Sequence, residues 1–233
     1  MDRAGAPRES AFAAGHAGPL LIAHGAANSE SKLRAALAES PDFVEADLWV
    51  HEGRFEARHE RRVAGVPVLF EKWYLKFAPR TPFGLDEILV QTNGRTGLFL
   101  DLKNDGAEAA RLIRAAIEAT AGARVAASAQ QWSILRELAA AAPELELFYS
   151  ADVQAKLDLF LSVEQRDARP RGVSCQHGLL TEQLVQQLHE RGLQVVAWTV
   201  DDPDRAAELA GWGVDAITTH RVAELRARLV ASP

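Results

Sequence analysis

Residues 97–120 run "GLFLDLKNDGAEAARLIRAAIEAT", and the change of period inside that stretch decides the fold. Over 97–103 the side chains alternate. Leu98, Leu100 and Leu102 share one face and Phe99, Asp101 and Lys103 the other, which is the two-residue period of a strand. From about Gly106 to Thr120 the pattern becomes helical. A strand running through a short link into a helix is half of a parallel crossover, because the helix carries the chain back to the end where the next strand begins.

The same unit recurs on both sides. "LLIAH" (20–24) precedes a helix over about 29–39, and "FVEADLW" (43–49) leads into a hairpin. "RVAASA" (124–129), "LELFYS" (145–150), "GVSC" (172–175), "QVVAWTV" (194–200) and "DAITTH" (215–220) are each followed by a helix-patterned stretch. Eight strands, nearly all with a following helix, predict an α/β chain folded as a single (β/α)8 TIM barrel. A doubly wound open sheet is the alternative, but no strand is followed by the glycine fingerprint of a dinucleotide site. One irregularity stands out at residues 50–96, where a hairpin and a short insertion separate strands 2 and 3. Residues 19–233 are assigned to the barrel and 1–18 to a flexible leader.

The totals suit this reading. The chain has 233 residues, 48% hydrophobic and 25% charged, enough for a large core without cross-links. Cys175 is the sole cysteine, so neither an internal disulfide nor a cysteine metal site is expected. A net charge of -6 with no basic stripe argues against nucleic acid as a partner. No apolar run approaches the ~20 residues of a membrane span, so no integral membrane segment is expected. "MDRAGAPRESAFAAGHAGP" lacks a sustained apolar segment of the secretory type, and the chain is expected to be cytoplasmic.

The alternation also locates the chemistry. Helix-facing positions in a barrel are apolar, so Asp101 and Lys103 point inward, as do Glu45 and Asp47 opposite Val44, Ala46 and Leu48. Neighbouring strands 2 and 3 then bring Glu45, Asp47 and Asp101 together. Three hard oxygen donors suit Mg²⁺ or Ca²⁺. The alternative is a structural ion network in which Lys103 and nearby arginines neutralise the acids. His24 ends the first strand and His59 ends the hairpin, positions from which an imidazole can exchange protons at neutral pH. A lone histidine is more often a packing residue, but two beside a carboxylate cluster suggest a phosphodiester-cleaving site.

At these residues the chain resembles the glycerophosphodiester phosphodiesterases, a family of (β/α)8 enzymes. "IAHGA", "VEADLWV", "ARHE", "FLDLK", "VVAWTV" and "GVDAITTH" follow that family's motifs in order, and "TPFGLDEIL" resembles the segment before its third strand. The match spans residues 20 to 228. The resemblance implies hydrolysis of a small glycerophosphodiester to glycerol phosphate and an alcohol. It implies His24 and His59 as the acid/base pair, and Glu45, Asp47 and Asp101 as ligands of one divalent cation, Mg²⁺ or Ca²⁺. Lys103 would hold phosphate oxygens and Trp198 would wall the glycerol. The alternatives within the barrel are a lysophospholipid-cleaving or cyclic-phosphate-forming enzyme, or a non-catalytic phosphate-binding barrel.

The chain departs from the family pattern at several points. Gly25 stands where the family has arginine, and "NSESK" replaces a Pro-Glu-Asn-Thr stretch. Asp101 replaces glutamate at the third metal position, and Glu60 replaces aspartate after His59. Between His59 and Pro82, "FEKWYLKFAPR" (70–80) interleaves Lys72, Lys76 and Arg80 with Trp73, Tyr74 and Phe77. This segment is a candidate for membrane-surface contact at the barrel mouth, or else a loop packed by its own aromatics.

Overall fold

Every strand read from the sequence is present in the computed structural model, which describes residues 12, 18–63, 66–71, 73–79, 81–92, 94–120, 123–166 and 170–230. The barrel strands are β1 (Leu20–Ala23), β2 (Phe43–His51), β7 (Gly97–Leu102), β8 (Val125–Ala129), β9 (Glu146–Ala151), β10 (Gly172–Gln176), β11 (Gln194–Trp198) and β12 (Ala216–Thr219). Each pairs in parallel with the next, and β1 pairs with both β12 and β2, so the sheet closes. The helices are α1 (Glu30–Ala38), α2 (Leu85–Thr92), α3 (Gly106–Ala119), α4 (Trp132–Ala141), α5 (Gln154–Val163), α6 (Glu182–Glu190), α7 (Pro203–Gly211) and α8 (Val222–Val230).

Local chemistry sets the helix starts. Ser29, Asp105, Thr181 and Asp202 each accept the backbone N–H three residues on, and Pro203 opens α7 where no N–H is needed. The two strand faces feed two apolar clusters. Leu98, Leu100 and Leu102 pack outward with Ala109, Ile113 and Leu135 of the helices. Leu20, Ile22, Phe43, Phe99, Phe148 and Val196 fill the barrel interior as its floor. Gly97 must lack a side chain there, since a Cβ would lie 2.3 Å from the Phe43 ring.

Of the leader assigned to residues 1–18, all but Phe12 and Gly18 lie outside the described residues. Phe12 is buried and stacks on Phe43 with centroids 4.6 Å apart, adding to the floor. No helix among the described residues is long and apolar enough to cross a membrane.

The described residues between 50 and 96 form more than a simple connection. β2 turns into the antiparallel β3 (Arg54–Ala57). A separate antiparallel sheet follows, made of β4 (Arg61–Arg62), β5 (Val68–Glu71) and β6 (Tyr74–Phe77). α2 then completes the crossover, burying Leu85, Ile88, Leu89 and Thr92 at helical spacing. The chain therefore keeps one helix per strand and hangs a small sheet on the second crossover.

Candidate active site

Alternation and register together build the site. Asp47 and Asp101 are direct cross-strand partners on β2 and β7, and Glu45 lies one inward step below Asp47. Their carboxylate oxygens come within 4.8 Å of one another. Lys103, just past β7, places Nζ 2.5 Å from Asp47 Oδ1 and 2.5 Å from Asp101 Oδ2.

The turn after β1 braces the acids. His24 continues the β1–β12 pairing by donating its N–H to the Thr219 carbonyl. Gly25 then takes φ 58°, a left-handed conformation that glycine adopts freely, and aims its N–H at Glu45 Oε2 at 2.5 Å. Asn28 grips Asp47 twice: Nδ2 donates to Oδ2 at 2.6 Å, and Oδ1 accepts the Asp47 N–H at 2.8 Å. His24 Nδ1 lies 3.0 Å from Thr199 Oγ1, and its ring packs 4.6 Å from that of His220. His220 is held in turn by Asp201, which accepts both its Nδ1–H at 2.9 Å and its backbone N–H at 2.8 Å.

His59 sits between β3 and β4, its neighbours tied down on both sides. Arg58 bonds Glu56 at 2.9 Å and also donates to the Glu60 carbonyl, while its guanidinium lies 5.0 Å over the Trp49 ring. The Glu60 carboxylate accepts from Tyr74 Oη and pairs with Lys76, turning toward the small sheet. His59 itself places Nδ1 3.1 Å from Glu71 Oε1.

The charge balance is uneven. Burial, reinforced by Asp47 and Asp101, drives the Glu45 carboxyl well above the usual carboxylate range. Burial also raises Asp101 despite the opposing charge of Lys103. For Asp47, burial is outweighed by the charge and hydrogen bond of Lys103 and by Asn28, and its carboxyl is held below the ordinary value. Lys103 is buried too, but Asp101 and Asp47 push its ammonium above its usual value. Burial, then the neighbouring His220, lowers His24 to about 4 and leaves it neutral at pH 7.

The ammonium bridge is what the ion-network alternative expects, yet one lysine does not balance three acids. Buried Glu45 is held by a backbone N–H instead of a cation. This oxygen-rich cluster with surplus negative charge fits a hard divalent cation.

All seven residues singled out from the sequence, His24, Glu45, Asp47, His59, Asp101, Lys103 and Trp198, line one cavity of about 180 Å³ at the C-terminal ends of the strands. The structure adds others. Ser128, Ser150, Ser174 and Thr218 put hydroxyls into the same cavity from β8, β9, β10 and β12. Each is a small hydroxyl residue at an inward position of a largely apolar strand, a signal present in "VAASA", "ELFYSA", "GVSCQ" and "AITT". Asn28, Thr199 and the Asp201–His220 pair come from turns, which no periodicity announces.

Comparison with known proteins gives a consistent result. Residues 90–224, more than half of the chain, match the glycerophosphoryl diester phosphodiesterase family. No curated protein matches the chain by sequence. Among solved structures, a candidate glycerophosphoryl diester phosphodiesterase of Silicibacter pomeroyi superposes with TM-score 0.77 at 20% identity, covering 93% of this chain and 95% of that one. An Oleispira antarctica phosphodiesterase, in complex with the product sn-glycerol-3-phosphate, gives 0.74 at 17% identity, with 92% and 98% covered. A glycerophosphodiester phosphodiesterase of Parabacteroides distasonis gives 0.73 at 19% identity, with 93% and 99% covered. At such identities these structures speak to the fold.

Proposed function

The chain belongs to the glycerophosphoryl diester phosphodiesterase family, and on that premise we propose that it hydrolyses glycerophosphodiesters to glycerol phosphate and an alcohol, using His24 and His59 as proton carriers. The observation that carries this reading is the convergence of both histidines, the three acids, Lys103 and Trp198 on one cavity at the barrel mouth.

Glu45, Asp47 and Asp101 would hold a divalent cation, Mg²⁺ or Ca²⁺, which when bound offsets charge on the non-bridging phosphate oxygens. The Lys103 ammonium, fixed by two carboxylates, faces the same oxygens. With Nδ1–H donated to Thr199 Oγ1, neutral His24 keeps a lone pair on Nε2. It takes the proton of the glycerol 2-hydroxyl as that oxygen attacks phosphorus. His59, its Nδ1–H directed at Glu71, gives the proton of its other nitrogen to the departing alcohol as the P–O bond breaks. In the second step the roles reverse. Neutral His59 deprotonates water, the water oxygen adds to phosphorus of the cyclic phosphate, and His24 returns its proton to O2 of the glycerol as the P–O2 bond breaks. Trp198 supplies the apolar wall against the glycerol carbons.

The test is release of glycerol phosphate from glycerophosphocholine and glycerophosphoethanolamine with Mg²⁺, Ca²⁺ or EDTA. Release that EDTA abolishes is the expected result. Absence of both release and metal binding would return the protein to the non-catalytic phosphate-binding alternative.

A further inference from the structure

The small sheet of β4, β5 and β6 has two unlike faces. On one, Leu69 is buried, Glu71 holds His59, and Tyr74 and Lys76 hold Glu60. On the other, the cross-strand pairs Val68–Phe77 and Phe70–Leu75 stand side by side, with Arg61 opposite Phe70. Leu75 is 71% exposed, Phe77 82%, and Trp73, in the turn between β5 and β6, 95%. An apolar face this exposed loses free energy in water in proportion to its area, and proteins keep such faces where something covers them.

We propose that this face docks the barrel mouth onto a phospholipid surface. Its charge supports that occupant. Among the described residues of the three strands, the only charged side chain on the face is Arg61, a cation on a chain of net charge -6. A phosphate-bearing surface complements it. A second copy of the chain does not, because a two-fold interface repeats the same face and, among its described residues, offers Arg61 no carboxylate. The residue types agree: a protruding indole with Phe and Leu beside it enters the headgroup boundary, where an amphipathic ring is most stable.

The face is also continuous with the site. Arg61 and Phe70 line a second cavity, of about 460 Å³, together with His59, Asp101 and Lys103. A docked surface therefore delivers phosphodiester headgroups to the mouth. The substrate class that follows is a glycerophosphodiester bearing an acyl chain, its head at Lys103 and its chain along Phe70. That consequence rests on the phosphodiesterase reading, whereas the docking itself does not.

The test is co-sedimentation with vesicles of phosphatidylcholine and phosphatidylglycerol, for wild type and for Trp73→Ser/Leu75→Ser/Phe77→Ser. Wild type is expected to bind, and the variant to lose at least about ten-fold in partitioning. Glycerophosphocholine release should be unchanged, since none of the three lines the reaction cavity, while turnover of lysophosphatidylcholine micelles falls. If the triple variant does not fold, Leu75→Ser alone is read the same way. Wild type that stays in solution overturns the proposal, as does vesicle binding that neither variant weakens. A wild-type dimer that the variant disperses, without lipid binding, assigns the face to a second copy instead. Vesicle binding without any glycerophosphocholine release would leave the docking intact and refute the phosphodiesterase reading.

Discussion

The two histidines lie in unlike surroundings. His24 is enclosed and neutral, held by Thr199 and packed on His220, whereas His59 is exposed and held by a carboxylate. His24→Ala and His59→Ala should each lower turnover by roughly 10²–10⁴-fold, with metal affinity by calorimetry little changed, because neither belongs to the acid cluster. Full turnover in both would make them packing residues. Of the seven residues singled out, Glu45, Asp47, Asp101 and Lys103 were legible because a strand's period fixes the inward positions, His24 and His59 because they end a strand and the hairpin, and Trp198 only through the family resemblance. Glu45, Asp47, Asp101 and Lys103 announced themselves as charges where apolar residues were due. Asn28 was not legible. Its two hydrogen bonds with Asp47 depend on Gly25 adopting a left-handed turn, and a glycine is equally compatible with many other conformations. His220 lies in the last strand motif, but its contact with His24 depends on Asp201 reaching across from the turn after β11.

Between the barrel and the small sheet the elements are joined by ions. Glu56, buried on β3, accepts from Arg58 at 2.9 Å and from Arg62 at 2.8 Å, so one carboxylate ties the strands on either side of His59. Glu56→Ala should cost about 3–5 kcal/mol, because it strands two guanidinium groups in a place built for a counter-charge. The loss should be local. Amide exchange is expected to accelerate in β4–β6 and leave β7–β12 protected, and turnover should fall as His59 loses its fixed backbone. Uniform acceleration through the barrel would contradict this division. The sequence did less well at this scale. The eight barrel strands and seven of the helices could be read because each is a self-contained pattern. α2 reads as connection although Leu85, Ile88, Leu89 and Thr92 keep helical spacing, since the eight residues are short and follow a long irregular stretch. β4 has two residues, too few for a period, and the Glu56–Arg62 ion pair that ties it to β3 is not part of any local pattern.

Across the whole molecule, the acid cluster links stability to both pH and metal. In the metal-free chain Glu45 and Asp101 have folded carboxyl values above their unfolded ones. Above about pH 4 the native state therefore binds more protons at these sites than the unfolded state, and their contribution is lost as pH rises through the raised values. Asp47 works the other way, but its contribution is complete above the ordinary aspartate value and stays constant through this range. His24, lowered to about 4 from 6.5, favours the native state as pH rises between those limits, so a bare stability curve mixes opposing slopes. Comparing wild type with Glu45→Gln cancels His24. Without metal, the variant should be the more stable of the two at pH 8, and the difference should shrink toward pH 5. A divalent cation should then reverse the order at pH 8. For wild type, a cation at 100 times its Kd adds about 2.7 kcal/mol, and the variant, lacking one charged ligand, should gain much less. Urea midpoints at pH 5 and pH 8, with EDTA or excess Mg²⁺ or Ca²⁺, measure all of this. Parallel curves for the two proteins, with no response to either cation, would mean that Lys103 alone neutralises the cluster and that the carboxylates serve the fold.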